Sequence, residues 1–356
     1  MRRSKNNWQS LGKLFSGDIK LSLLHANSLT QAEWKSVVEF AFRERVAPEL
    51  SARLGQLGVE EKLPKDWLEA LKASHQLNEM IHSQYREVFR DVLVACSAID
   101  IQPMVLKGGI DIISFDDSIN ASRVALDLDI LVGEHQAGKL QRELIGVGFK
   151  EDSQFKLNSR HEKHHHLAPL WHKTHNLYVE IHRSLGSEDQ FHYLNKNIFS
   201  DPETRDLDGL FYLVPSLSFR VWHNFIALLN DESNGGGRSF RLLLDLYRLT
   251  MKLTESGLEI SHLMEQRAQS AREWKHLRYF LSHVFEADPP RESFALQSFL
   301  RMHLFWLSKD YRILRLLAFV GLALRRASKQ ENFFQKMVDP MSYKKAMAAC
   351  LGYIKN

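Results

Sequence analysis

The apolar positions of this chain repeat with a helical period toward both ends and with a strand period in the middle. Thr30-Gln31-Ala32-Glu33 has the form of a capping box, and the pattern behind it predicts a helix running to Leu54. Pro64 precedes a stretch from Asp66 to about Ile99 that is rich in helix formers and holds neither Gly nor Pro, which predicts one long helix. Pro103 ends this regime. Met104-Val105-Leu106 is a short strand candidate, Gly108-Gly109 predicts a tight turn, and Ile110 to Phe115 a short helix. Ala125 to Val132 alternates as a strand does, and Gln136 to Ile145 reads as a helix closed by Gly146 and Gly148. His165 to Trp171 and Leu177 to Arg183 are strand candidates joined by His-Lys-Thr-His-Asn. From Asp201 the helical period returns. Pro215-Ser216 leads a helix through Trp222, His223 and Leu229, and Arg241 to Leu253 forms a second, amphipathic one. The loop between them, Asn230 to Gly237, holds three consecutive glycines, and further helices are interrupted at Pro289-Pro290 and Pro340.

The predicted order is a helical region 1–100, a small α/β region 101–200 and a helical region 201–356, an α+β chain with no internal repeat. Its 356 residues suffice for two or three domains with real cores. Apolar residues at 44% and charged residues at 25% exclude a disordered chain. The start, MRRSKNNWQS, is basic, but no apolar stretch follows it, so no signal peptide is expected. Ile313 to Leu324 contains Arg315 and is too short to span a bilayer, so no transmembrane segment is expected. Cys96 and Cys350 match no metal or redox spacing, and a reducing cytoplasm fits. Net charge is +4, but residues 301–356 carry +8 and the rest −4. That basic segment fits either a solvated helix face or contact with nucleic acid or another polyanion.

The chemistry concentrates in the middle region. Strand periodicity puts Asp127 and Asp129 on one face, with Leu126, Leu128 and Ile130 on the other. Two carboxylates about 7 Å apart along a strand can share divalent cations, and without a cation they repel. A solvent-facing strand with two harmless acids is the plain alternative. Two neighbours weigh against it. Lys107-Gly108-Gly109 lies between a strand and a helix, where backbone N–H groups can meet a phosphate. Leu177-Tyr178-Val179-Glu180-Ile181-His182 is a second alternating strand, which places Glu180 opposite Val179 and Ile181. If the two strands are neighbours, Glu180 becomes a third carboxylate at one site.

A Gly-Gly turn after a strand, then Asp-x-Asp, then a lone acid on a later strand resembles the nucleotidyltransferases of the DNA polymerase β superfamily. Lys107-Gly108, then Arg123, then Asp127-Leu128-Asp129-Ile130-Leu131-Val132 is similar to a largely uncharacterised bacterial nucleotidyltransferase-like family. His165-His166-Leu167-Ala168-Pro169-Leu170, Glu180-Ile181-His182-Arg183, His223, Arg241 and Leu244-Asp245-Leu246 extend the likeness over roughly residues 100–260. Arg183 stands where that family prefers Trp, and Arg123 is further from Asp127 than expected. The resemblance implies a small mixed-sheet nucleotidyltransferase core set between N- and C-terminal helical segments. It implies that Asp127, Asp129 and Glu180 are catalytic and hold Mg2+ or Mn2+, with an NTP as substrate and a hydroxyl acceptor. Gly108 and Gly109 would hold phosphates through backbone N–H groups, and Lys107 and Arg123 would neutralise developing charge. His166 or His182 would line the substrate cleft, with His182 the candidate beside the nucleotide. A catalytically silent binding or regulatory protein on the same fold is the alternative, and an RNA-binding module using the basic tail a third.

Seven of 17 histidines fall between His161 and His182. His161, His164 and His165 have spacings that suit zinc only in a helix, and no acid but Glu162 is near. The resemblance makes His165–Leu170 a strand, which disfavours that reading. As strand neighbours, His166 or His182 could instead hydrogen-bond a metal-binding carboxylate, or be partly exposed hairpin residues. Arg241 and Asp245, spaced i,i+4, are expected to pair. The Asn234–Gly237 loop follows no strand and precedes no Lys-Ser/Thr, so it is no P-loop.

Overall fold

The computed structural model describes residues 2–113, 122–151, 164–186, 188–233, 239–257 and 268–285. Five helices lead the chain: α1 (Arg2–Leu14), α2 (Ile19–Ser28), α3 (Gln31–Arg43), α4 (Ala47–Leu57) and α5 (Lys65–Ala98). Thr30 caps α3 in a reciprocal box with Glu33, as its spacing predicts. The helix expected to reach Leu54 is broken, however. Arg45 takes a left-handed φ of 60°, and Pro48, which has no N–H to continue a ladder, sits in the first turn of α4. Gly58 closes α4 at φ 63°. Pro64 caps the long α5, close to the predicted bounds.

The middle of the chain builds β1 (Met104–Val105), α6 (Lys107–Ile113), β2 (Asp127–Leu131), α7 (Glu134–Gly146), β3 (Phe149–Glu151), β4 (Leu170–His172), β5 (Leu177–His182) and α8 (Glu188–Asn197). Then follow β6 (Glu203–Leu207), β7 (Leu210–Val214), α9 (Leu217–Ser233), α10 (Phe240–Glu255) and α11 (Ala268–Phe285). The seven strands form one mixed sheet in the order β3-β4-β5-β2-β1-β7-β6. Strands β2 and β5 run parallel at its centre, and β1 joins β2 antiparallel and β7 parallel.

Several local expectations change. The region after Asp201 opens not with a helix but with the β6–β7 hairpin, so the sheet continues past the boundary expected at residue 200. The hairpin turns on Asp208 and Gly209, both left-handed at φ 55° and 83°, which is the Asp-Gly signature of a two-residue turn. The strand expected over His165–Trp171 is split: His166 makes an isolated bridge to His182, and regular pairing starts only at Leu170. Pro169 lies between them and cannot donate to the ladder. The short helix expected at Ile110 begins at Lys107, with both glycines inside its first turn. Phe115, the Asn234–Gly237 loop, Cys350 and the basic 301–356 segment lie outside the described residues.

Two apolar cores flank the sheet. Val105, Leu128, Ile130, Val179 and Ile181 face one way, onto Val88, Phe89 and Val92 of α5 and Leu140 and Leu144 of α7. Met104 and Leu131 face the other way and join a larger core. That core joins the first described helix to the last: Trp8 of α1 meets Phe40 of α3, Phe240 of α10 and Phe280 of α11 at ring separations of 5.3 to 6.3 Å. Helices α1, α3, α10 and α11 therefore build one body. Asp127, Asp129 and Glu180 share the sheet face that turns toward it, because strand alternation puts them on the side of Leu131.

Candidate active site

The acids meet because β2 and β5 are parallel and in register. Asp129 lies directly across from Glu180, Asp127 from Tyr178 and Leu131 from His182. Ligand atoms of Asp129, Glu180 and His182 all fall within 4.8 Å of one another. Asp127 stands one pleat away on the same face. Asp129 is 3% exposed, and its Oδ1 accepts from His182 Nε2 at 2.6 Å and from Lys107 Nζ at 3.1 Å. His182 Nε2 also approaches Glu180 Oε2 at 3.6 Å, and His166 Nε2 approaches the same oxygen at 3.9 Å.

The electrostatics follow from this crowding. Burial alone would raise the Asp129 carboxyl, but the Lys107 charge and the His182 hydrogen bond more than offset it and hold the group well below the usual carboxylate range. Glu180 is also lowered: burial opposes, and the His182 and His166 contacts prevail. Asp127 moves the other way, pushed up by burial and then by the charges of Asp129 and Glu180. Burial works against the charge on Lys107 and His182, but their contacts with Asp129 raise both. His165, half-buried beside three other imidazoles, is pushed down to about 3, and His223 likewise by burial and the nearby Lys107.

Lys107 reaches Asp129 from a left-handed backbone, φ 47°, which for a residue with a Cβ costs about 1–2 kcal/mol. The strain sits where the cation enters the site. The two glycines behind it serve close packing. A Cβ on Gly108 would fall 1.6 Å from Arg123 Nη1, and one on Gly109 would fall 2.7 Å from Val105 Cγ1. The Gly109 N–H is already bound to Leu106 O at 3.1 Å.

Arg123 does not reach the acidic face. Its guanidinium forks onto Asp245 of α10, with Nε at 3.0 and 3.1 Å and Nη2 at 2.7 Å, and lies 3.7 Å from Asp111. The partner of Asp245 is thus Arg123, whose span of 122 positions no local spacing reveals. Arg241, expected to pair with Asp245, instead donates to Val124 O at 3.0 Å. A cleft beside Lys107 is lined by Asp111, Arg123, Arg220, His223, Arg248 and others, so the acidic face continues into a polar recess against α9 and α10. Asp111 and Arg220, 3.3 Å apart, are the lining pair that sequence reading passed over; their signal was only an acid and a base in separate helices.

The residues present fit a divalent cation. Three carboxylates share one face, and the upward push on Asp127 from its acidic neighbours is a repulsion that a cation would relieve. No described helix is long and apolar enough to cross a membrane. Neither curated proteins nor solved structures yield a match for the chain. A family model does match: that of an uncharacterised nucleotidyltransferase, over residues 30–286, which take in α3 through α11 and every strand of the sheet, so the chain belongs to that nucleotidyltransferase family.

Proposed function

We propose that the chain transfers a nucleoside monophosphate from an NTP to a hydroxyl acceptor, with release of pyrophosphate, in a reaction that depends on Mg2+ or Mn2+. The observation that carries this reading is the register of β2 and β5, which brings Glu180 beside Asp129 and Asp127 on one sheet face in a member of a nucleotidyltransferase family. Asp127, Asp129 and Glu180 would hold the metal. When bound, it would supply charge neutralisation for the triphosphate and a lowered pKa for the attacking hydroxyl. His182 keeps the Asp129 carboxylate oriented through its 2.6 Å hydrogen bond. Lys107, held 3.1 Å from Asp129, would offer a positive charge to the triphosphate.

One observation favours a second reading, a catalytically silent member of the fold. Asp129 Oδ1 already accepts from two donors, Lys107 Nζ and His182 Nε2, so its burial is compensated without a metal. Titration calorimetry with each of the four NTPs, in Mg2+ and in Mn2+, separates the two. Metal-dependent binding of an NTP by the wild type, lost in Asp129→Ala, supports the transferase. No binding of any NTP by a folded protein with either metal sinks it in favour of the silent fold.

A further inference from the structure

Three consecutive imidazoles lie beside the acidic face without belonging to it. A zinc site over His161, His164 and His165 would need a helix, and residues 164–166 are not helical. His161 lies outside the described residues. Yet ligand nitrogens of His164, His165 and His166 all fall within 4.8 Å of one another. The His164 and His165 rings stack at 4.3 Å, and His166 meets His164 edge-on at 4.2 Å.

The backbone that carries them is pinned to the end of β5. His165 O accepts from Arg183 N at 2.9 Å and Ser184 N at 3.2 Å, and Leu167 N donates to Ile181 O at 2.9 Å. His164 O accepts from Arg183 Nε at 2.7 Å. A loose histidine run loses conformational entropy when it closes on a metal; this one is ordered beforehand. His166 adds a specific sign. Its Nδ1 lies 2.8 Å from Leu167 O, and a carbonyl can only accept, so Nδ1 carries a proton and in the neutral ring the lone pair sits on Nε2. Metal-binding histidines are held in this way, by donation of the other ring N–H to a carbonyl. The cluster also abuts His182, which is 1% exposed and whose buried Nδ1 has no hydrogen-bond partner among the described residues. The His165 and His166 rings lie 5.5 and 5.4 Å from it.

We propose that His164, His165 and His166 form a second metal site, for a divalent cation of the Zn2+ class, separate from the carboxylate face. Donor chemistry separates the two sites: carboxylates suit Mg2+ and Mn2+, whereas imidazoles suit Zn2+, Cu2+ and Ni2+. In a tetrahedral site with bonds of about 2.0–2.1 Å, ligand nitrogens stand roughly 3.4 Å apart, so small ring rotations would close the cluster. Three protein ligands leave one position open to water or to an oxygen of a bound anion. His166 Nε2 is 3.9 Å from Glu180 Oε2, so such a cation would sit at the edge of the acidic face.

The test is Zn2+ uptake by chelator-stripped full-length protein, in competition with a chromophoric chelator. Wild type, His164→Asn, His165→Asn, Asp129→Ala and urea-unfolded wild type are compared, with circular dichroism to confirm folding. The expected result is one equivalent of Zn2+ held by wild type and by Asp129→Ala with affinities within about threefold. Each histidine variant should bind at least about tenfold more weakly. Co2+ in place of Zn2+ should give visible bands of tetrahedral intensity that survive Asp129→Ala. Zn2+ lost in Asp129→Ala but kept in both histidine variants assigns the ion to the carboxylates and overturns the proposal. Binding by the folded protein no tighter than by the unfolded chain also overturns it, as a histidine run acting like a tag. Neither result depends on whether an NTP binds.

Discussion

Arg123 and Asp245 form a buried two-pronged ion pair that fastens the segment entering β2 to helix α10, with the arginine only 6% exposed. Removing one partner strands a charge in the interior, which typically costs about 3–5 kcal/mol. Arg123→Ala and Asp245→Ala should each lose about that much in urea unfolding. The apolar double variant Arg123→Met/Asp245→Leu should recover most of it. Single variants as stable as wild type would mean that water enters the site and the pair holds nothing.

Gly108 is required by the same guanidinium. Its missing Cβ would lie 1.6 Å from Arg123 Nη1, so Gly108→Ala must displace a side chain fixed on both prongs. Overpacking of this kind costs about 1–3 kcal/mol. The combination Gly108→Ala with Arg123→Ala should be less than additive, because the second change removes the clash. Strict additivity in urea unfolding would refute the assignment.

His182 acts on the proposed metal through Asp129. Supporting groups of this kind typically contribute 10–100-fold to metal affinity, so His182→Gln should weaken Mn2+ binding by about that factor while the protein stays folded. Electron paramagnetic resonance of free Mn2+ reads the change directly. An unchanged Mn2+ affinity would show that the hydrogen bond is structural only.

Glu49 is fully buried on α4 and pairs with Arg248 at 3.0 Å through one oxygen, while its Oε2 has no hydrogen-bond partner among the described residues. Burial pushes its carboxyl up to about 7, and Arg248 offsets only part of that. The folded state thus holds this proton more tightly than the unfolded chain. The group's contribution is full below the ordinary carboxylate range and is lost as pH rises through about 7. Glu49→Gln should remove this fall. Stability measured at about pH 5 and about pH 8 should drop more in wild type than in the variant. Equal drops would mean that Glu49 ionises normally.

What the sequence made legible was governed by short range. The side-chain period of two put Asp127 and Asp129 together, and put Glu180 and His182 together, before any strand pairing was known. Thr30 and Glu33 announced a helix start for the same reason, a contact three residues long. Pairings across the chain were not visible. Arg241 looked like the partner of Asp245 because a sequence displays only short-range neighbour relations such as i,i+4, yet a residue 122 positions away won the contact. The β6–β7 hairpin did carry a local signal, Asp208-Gly209 between alternating runs, that was overlooked beside the stronger helical pattern around it. The convergence of three adjacent histidines had no periodic signature, since it depends on the bridge of His166 to His182.

The core that α1 shares with α10 and α11 bears on how the protein is made. Trp8 is buried against Phe240 and Phe280, and Gln9 bonds His283 across 274 positions, so α1 has no complete partner until the last described helix has left the ribosome. The strands and their acids come off the ribosome before α9 and α10, which wall the recess beside them. The nascent chain therefore carries an exposed aromatic surface through most of its synthesis, the condition in which chaperones bind. A stalled chain ending near residue 235 should be cut readily within α1 by a limiting protease, and a chain released through residue 285 should resist it.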